Sequence, residues 1–164
     1  MAKKESYRNV RTARYTQISN SFLNDPQASL QAKGLLSIFL SNSNDWEIHM
    51  AEIINRSKNG RDTHYKVINE LINLGYFSRI AVSSSLKNNR FEEMIYIFSD
   101  IKSDVEEEID RLKCWAMING KKLTIEYLGK KEHFPQKEKE SKNLDITPFP
   151  EIQDTGNQYP ESQD

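Results

Sequence analysis

Residues 45 to 77 read DWEIHMAEIINRSKNGRDTHYKVINELINLGYF, and the expected fold depends on this stretch. Met50 and Ile54 lie one helical turn apart, which predicts a short helix after the tryptophan of this stretch. The turn at residues 57 to 60 then interrupts the pattern with a glycine, a residue that tolerates positive φ. Helical periodicity resumes over residues 61 to 74. The stretch therefore predicts two short helices around a tight turn.

The second helix is predicted to have one apolar and one polar face. It ends before Gly75, the position at which a C-cap glycine is expected. His64 is interpreted as a packing residue, because it falls beside the apolar face. The polar face carries side chains that can hydrogen-bond or stack, and such a helix can reach base edges in DNA. The residues predicted to face the bases are Arg61, Thr63, Tyr65, Lys66 and Asn69.

A β-hairpin is predicted directly after this helix. Residues 76 to 82 and 91 to 98 are rich in β-branched and aromatic side chains, and residues 83 to 90 between them form a polar loop. Cations in this loop, in the turn between the helices and in the N-terminal arm suit a phosphate backbone. The predicted phosphate contacts are Lys58, Lys87, Arg90, Arg11 and Arg14.

The region before residue 45 completes the expected order of elements. Ser29 is a plausible N-cap for a helix over residues 30 to 41, and residues 15 to 18 look like a short strand. Strand, three helices and hairpin is the order of a winged helix. The predicted fold class is therefore α+β, mainly α: a winged helix-turn-helix with an additional C-terminal amphipathic helix and a disordered acidic tail.

Several short motifs of the first hundred residues also carry a family resemblance. They are Tyr15-Thr16-Gln17-Ile18, Asp25-Pro26, Ala32-Lys33-Gly34-Leu35-Leu36, Trp46, Gly60-Arg61-Asp62 and residues 71 to 76. Together they resemble the N-terminal domain of DnaD-like replication proteins from phages and plasmids of Gram-positive bacteria. This resemblance implies a winged helix that binds origin DNA or assembles with itself there, and a C-terminal part that engages replisome components.

A second amphipathic segment lies between residues 100 and 120. Acidic side chains crowd its first turns, where the helix dipole favours them, and Gly120 ends the pattern. A short strand is predicted over residues 122 to 128. The apolar stripe of the helix can pack on its own domain or pair with the same helix in a second protomer. The residues predicted to support self-association are Val105, Ile109, Leu112 and Ala116.

Charge is distributed unevenly along the chain. Residues 1 to 90 hold 13 Lys and Arg against 7 Asp and Glu, whereas residues 91 to 164 hold 10 against 17. A basic front half suits DNA contact, and an acidic back half suits partner binding or solvation. The predicted organisation is a basic arm at 1–12, a winged-helix domain at 13–98, a helix and strand with a partner or oligomerisation role at 99–134, and a disordered, proline-containing tail at 135–164.

Several functional classes are not expected. His49, His64 and His133 are scattered, and no Gly-rich phosphate loop or paired carboxylates accompany them, so no enzymatic activity, metal or cofactor is predicted. The single Cys114 fits a reducing compartment. No apolar run reaches membrane-spanning length and no signal peptide is visible, which predicts a cytoplasmic protein without membrane contact.

Three functions remain compatible with this pattern. The first is a double-stranded DNA-binding protein of a mobile element, acting in replication initiation or replisome recruitment. The second is an autoregulatory transcriptional repressor. The third is an effector that binds a replisome or other host protein through its C-terminal region, and homodimerisation is compatible with each. The fold does not separate them, because winged helices serve all three roles.

Overall fold

A computed structural model of the chain describes residues 4–10, 16–42, 48–84 and 89–135. The helices and strands alternate irregularly along these ranges. They are β1 (Lys4–Asn9), α1 (Asn20–Leu23), α2 (Leu30–Leu40), α3 (Met50–Asn55), α4 (Arg61–Leu74), β2 (Phe77–Ser84), β3 (Phe91–Phe98), α5 (Lys102–Ile118), β4 (Lys121–Tyr127) and β5 (Lys130–Phe134).

A single five-stranded sheet organises the molecule. Its strand order is β1-β3-β2-β4-β5, so β2 lies at the centre and β1 and β5 form the edges. Strand β1 runs parallel to β3, whereas the other three pairings are antiparallel. The sheet is therefore mixed, and it joins the N-terminal segment, the hairpin and the C-terminal strands.

Helices α2, α3 and α4 cover part of one face of the sheet. Aromatic rings from β2 and β3 meet these helices, and the ring centroids of Phe39 and Phe77 lie 5.3 Å apart. Tyr7 of β1 stacks on Tyr96 at 4.3 Å, which ties the edge strand to this core. The largest buried side chains of this cluster are Phe22, Leu36, Phe39, Ile53, Ile68, Leu71, Phe77 and Phe98.

Helix α5 covers the opposite face. Its apolar stripe packs on buried side chains of β2, β3 and β4. Along these strands, side chains that face α5 alternate with side chains that face the other helices. Val105, Ile109, Leu112 and Ala116 are at most 5% exposed. These four residues are therefore not available to a second protomer, and their prediction as a self-association surface is wrong. Self-association through other residues stays a prediction.

Several elements lie where local sequence patterns predicted them. The Ser29 hydroxyl accepts a hydrogen bond from the Ala32 amide and caps α2 as predicted. Helix α4 has the predicted bounds, and Gly75 caps it at a φ of 88°. The hairpin strands β2 and β3 and helix α5 are also confirmed within two residues of the predicted bounds.

The predicted fold, mainly α with a winged helix-turn-helix, is wrong: the structure is an α+β fold built on the five-stranded mixed sheet. The hairpin is not a free wing, because β1 pairs with one of its strands and β4 with the other. Part of the predicted basic arm is thus the edge strand β1. Conversely, residues 16 to 18 of the predicted first strand have no strand pairing.

Some predictions lie outside the described residues. They concern Arg11, Arg14 and Lys87 among the predicted phosphate contacts, Trp46 among the motifs, and all but the first residue of the predicted tail at 135–164.

Candidate nucleic-acid interface

Helix α4 presents a polar face to solvent. Val67, Ile68 and Leu71 are at most 4% exposed, so the helix is fixed on the core by its other side. Lys66, Asn69 and Asn73 are exposed, and their spacing of three and four residues puts them on one face. The helix therefore offers one cation and two amides in a row on a rigid support.

A second element flanks this row. Strands β4 and β5 form a hairpin whose two-residue turn, Leu128 and Gly129, has positive φ angles of 52° and 69°. The Leu128 amide donates a hydrogen bond to the Ile72 carbonyl oxygen at 3.0 Å. The Tyr127 hydroxyl lies 3.2 Å from the Gly75 carbonyl oxygen. The hairpin is thus docked on the C-terminal end of α4.

Burial raises the pKa of the Tyr127 hydroxyl above its ordinary range, and the nearby Glu106 carboxylate adds to this rise. The single phenolic proton has two possible acceptors, because the Gly75 carbonyl oxygen and the Glu106 carboxylate both lie 3.2 Å from the hydroxyl.

A cleft of about 210 Å³ separates α4 from the hairpin, with the asparagines on one wall and two lysines on the other. Lys130 and Lys131 are exposed at its rim. We call the set of five exposed side chains the helix-hairpin surface. Its members are Lys66, Asn69, Asn73, Lys130 and Lys131.

Arg79 of β2 supports this surface from below. Its guanidinium donates to the Glu126 carboxylate at 2.9 Å and to the Asn69 side-chain oxygen at 2.7 Å. Lys131 lies 3.9 Å from the same carboxylate. Glu126 is thereby balanced by two cations, and the Asn69 oxygen is held inward with its amide nitrogen directed away from Arg79.

The predicted base-facing residues do not all share this surface. Lys66 and Asn69 belong to it. Tyr65 is half-buried against the core, and the Arg61 guanidinium lies 5.4 Å from its ring centroid. Thr63 lies on the other flank of α4, where it lines a cavity beside α2. The structure therefore brings together two of the five and separates Thr63 from the others.

His64 is a packing residue, as interpreted from the sequence, and is 3% exposed. Of the predicted phosphate contacts, Lys58 is exposed in the turn before α4, and Arg90 is exposed before β3. The sequence reasoning missed Asn73, Lys130 and Lys131, because the Leu128-Gly129 turn is not one of the common hairpin pairs and the strand after it lacks apolar alternation.

Negative charge is concentrated on the other side of the sheet. Helix α5 packs there, and its acidic side chains are exposed or half-buried. Partners reduce only part of this charge, as Arg8 pairs with Glu108 at 3.4 Å and Arg111 pairs with the same residue at 3.3 Å. The acidic side chains of this helix are Asp104, Glu106, Glu107, Glu108 and Asp110.

Within the described ranges, no group of three or more acidic, histidine or cysteine side chains is arranged to hold a metal ion. The helices of the same ranges are too short or too polar to cross a membrane. Comparison of the chain with protein-family models, with curated proteins and with solved structures gave no match. The resemblance to DnaD-like replication proteins therefore stays an expectation from the sequence.

Proposed function

We propose that this protein binds double-stranded DNA through the helix-hairpin surface. The observation that carries the proposal is the arrangement of Lys66, Asn69 and Asn73 on one face of α4 beside Lys130 and Lys131 of the hairpin. The resemblance implied a winged helix, and the fold is different. The chemistry of this surface supports DNA binding independently of the winged-helix fold.

The dimensions of α4 suit the major groove of duplex DNA, which admits one α-helix. An asparagine side chain can form two hydrogen bonds with adenine in that groove, and a lysine can donate to guanine. Asn73 and Lys66 are exposed and free of the core, so both side chains can reach base edges. Asn69 is oriented by Arg79, which reduces the entropy lost when its amide is ordered on DNA.

The positive charges around α4 are compatible with placing this helix in the major groove. Lys130 and Lys131 flank the helix and suit the phosphates that border a groove. Lys58 and Arg61 lie at the start of α4, where the exposed Asp62 in the first turn offsets part of their positive charge. Of the acids of α5, Glu106 lies close to the hairpin, 3.2 Å from the Tyr127 hydroxyl, whereas Glu107 and Glu108 pair with Arg111 on the other side of the sheet.

The proposed role on DNA follows the resemblance, which implies replication of a mobile element and recruitment of replisome components. Sequencing of DNA fragments that the protein enriches from a genomic pool tests this role. Repeated sites at an origin are the expected result. A single palindrome over the promoter of its own gene would instead favour an autoregulatory repressor.

Binding itself is tested by fluorescence anisotropy with a labelled random-sequence duplex at several salt concentrations. Lys66→Ala and Lys130→Ala should each weaken binding and reduce the slope of log K against log salt by about one, because each removes one phosphate or groove contact. Asn73→Ala should leave that slope unchanged. On a selected site it should cost about 1–3 kcal/mol of preference over a scrambled duplex.

Arg111→Ala is the matched control, because this side chain is 71% exposed on the acidic side of the sheet. It should leave affinity and slope unchanged. Losses as large for Arg111→Ala as for Lys130→Ala would show that binding is a nonspecific effect of total charge. The absence of duplex binding by the wild-type protein at low salt would overturn the proposal.

A further inference from the structure

A second concave feature lies on the other flank of α4, between this helix and α2. It is a cavity of about 170 Å³ that opens to solvent. Leu35 and Val67 form a buried apolar floor, and Ile38 is half-buried at its side. The rim is polar and includes Gln31, Asn59 and Thr63. An apolar floor with a few polar groups at the rim is the usual composition of a small-molecule site.

Gly34 keeps the α2 wall of this cavity open. Glycine in the interior of a helix costs about 1 kcal/mol relative to alanine. Apart from its neighbours and the adjacent α2 backbone, a Cβ atom at this position would have no atom within 4 Å, so packing does not require glycine here. The missing side chain instead leaves room for a molecule that approaches the α2 backbone.

The wall on the α4 side is fixed by His64. Its Nδ1 donates to the Gly60 carbonyl oxygen at 2.9 Å, because a carbonyl can only accept, and its Nε2 lies 3.2 Å from the Ser57 hydroxyl oxygen. Both ring nitrogens are thus engaged, and the ring is held against rotation into the cavity. The cavity is therefore preformed and needs little rearrangement to accept a ligand.

Size and charge restrict what can bind. A cavity of roughly 150 Å³ with apolar walls holds a molecule the size of benzene. None of the described residues that line this cavity is an acidic, lysine or arginine residue, so no side chain offers a counter-charge to an ion. The amide and hydroxyl groups of Asn59, Thr63 and Gln31 can accept or donate one or two hydrogen bonds at the rim.

We propose that the cavity between α2 and α4 binds a neutral aromatic small molecule of one ring or two fused rings. The ring occupies the space beside Gly34 over Leu35 and Val67. One polar ring atom bonds with the amide or hydroxyl groups of the rim. This site is separate from the helix-hairpin surface and does not depend on DNA binding.

Indole is a suitable probe, because it has two fused rings, no charge and one N–H donor. Titration of the ¹⁵N-labelled full-length chain with indole should give saturable amide shifts at Asn59, Thr63 and Val67, with a Kd of about 1 mM or tighter. Intermolecular NOEs should connect indole protons with the methyl groups of Leu35 and Val67. These NOEs locate the ligand without any substitution.

Gly34→Leu fills the cavity with a residue that favours helix, and it should weaken indole binding at least tenfold. Met117→Ala, on the exposed face of α5, is the control and should bind indole as the wild type does. Unchanged affinity in a folded Gly34→Leu variant would overturn the proposal. So would amide shifts that do not saturate up to the solubility limit of indole, or NOEs to other parts of the protein.

Discussion

At the scale of single residues, two glycines show how the same residue type serves opposite purposes. Gly75 ends α4 at a φ of 88°, and a Cβ atom there would lie 2.8 Å from Cδ2 of Leu128. Gly34 sits in a helix with free space around it. The fold of the chain therefore requires glycine at residue 75 but not at residue 34.

Gly75→Ala is therefore expected to lower the free energy of unfolding by about 1–3 kcal/mol, because it adds left-handed strain and a clash with the docked hairpin. Gly34→Ala, its matched control, should raise the same free energy by about 1 kcal/mol, since alanine favours the helix. Urea denaturation of both variants measures the two changes. Changes of the same sign would contradict this account of the two positions.

Tyr76 provides a residue-scale prediction for pH. Burial raises the pKa of its hydroxyl from 10.0 to about 12, and the hydrogen bond to Asp25 adds to the rise. The folded state thus holds the phenolic proton more tightly than the unfolded state, so this contribution to stability is complete below pH 10 and is lost as pH rises toward 12.

Tyr76→Phe should be less stable than the wild type at neutral pH, because the hydrogen bond to Asp25 is lost, by about 0.5–1.5 kcal/mol. The difference between the two proteins should shrink as pH rises through the interval given above, since phenylalanine has no proton to lose. Urea denaturation at several alkaline pH values tests this. A constant difference across that interval would show that the raised pKa of Tyr76 does not contribute.

Single residues also show how far sequence alone predicts the candidate surface on α4. The caps at Ser29 and Gly75 depend on local geometry, and both were predicted. The outward position of Lys66 and Asn69 follows from helical periodicity alone. Periodicity does not indicate which neighbouring element covers each flank of a helix, and Tyr65 and Thr63 were therefore misplaced.

At the scale of elements, α5 shows that an apolar stripe in the sequence is not always an exposed surface that can bind a partner. Its apolar stripe was compatible with dimerisation or with internal packing, and periodicity is the same in both cases. The structure buries Leu112 at 3% exposure, whereas Met117 on the same helix is 70% exposed. The stabilising contacts of α5 are therefore intramolecular in this fold.

Leu112→Ala should lower the free energy of unfolding by about 2–5 kcal/mol, because it removes a buried side chain and leaves a cavity over the sheet. Met117→Ala, five residues further along the same helix, should change it by less than about 0.5 kcal/mol. Thermal and urea denaturation of the two variants provide the comparison. A small effect for Leu112→Ala would mean that α5 is not packed on β3 and β4 as described.

The elements that the sequence analysis missed are stabilised by partners rather than by their own composition. Strand β5 reads KKEHF and has no apolar alternation, and it forms because β4 supplies hydrogen bonds along its length. Strand β1 reads KESYRN, and it was predicted as part of a basic arm because of its positive charges. Tyr7 is the one residue of β1 whose type suggested contact with a core, and its ring stacks on Tyr96.

At the scale of the whole molecule, the strand order is the property that local patterns do not determine. Each strand of the predicted hairpin has a further neighbour, and both neighbours come from distant parts of the chain. Pairing between remote segments depends on the packing of the assembled helices and strands, and no spacing within one segment encodes it. The helices and the hairpin were therefore predicted, whereas the sheet was not.

The pairing of β1 with β3 has a consequence for synthesis on the ribosome. Residues 4 to 9 leave the exit tunnel well before their partners, residues 93 to 98, are translated. At typical elongation rates the delay is on the order of 10 s. Helices α1 to α4 have time to assemble during this interval, while the nascent strand keeps its backbone donors and acceptors unpaired. Among the described strands, β1 thus waits longest for its partner, and a ribosome-bound chaperone would protect it during this interval.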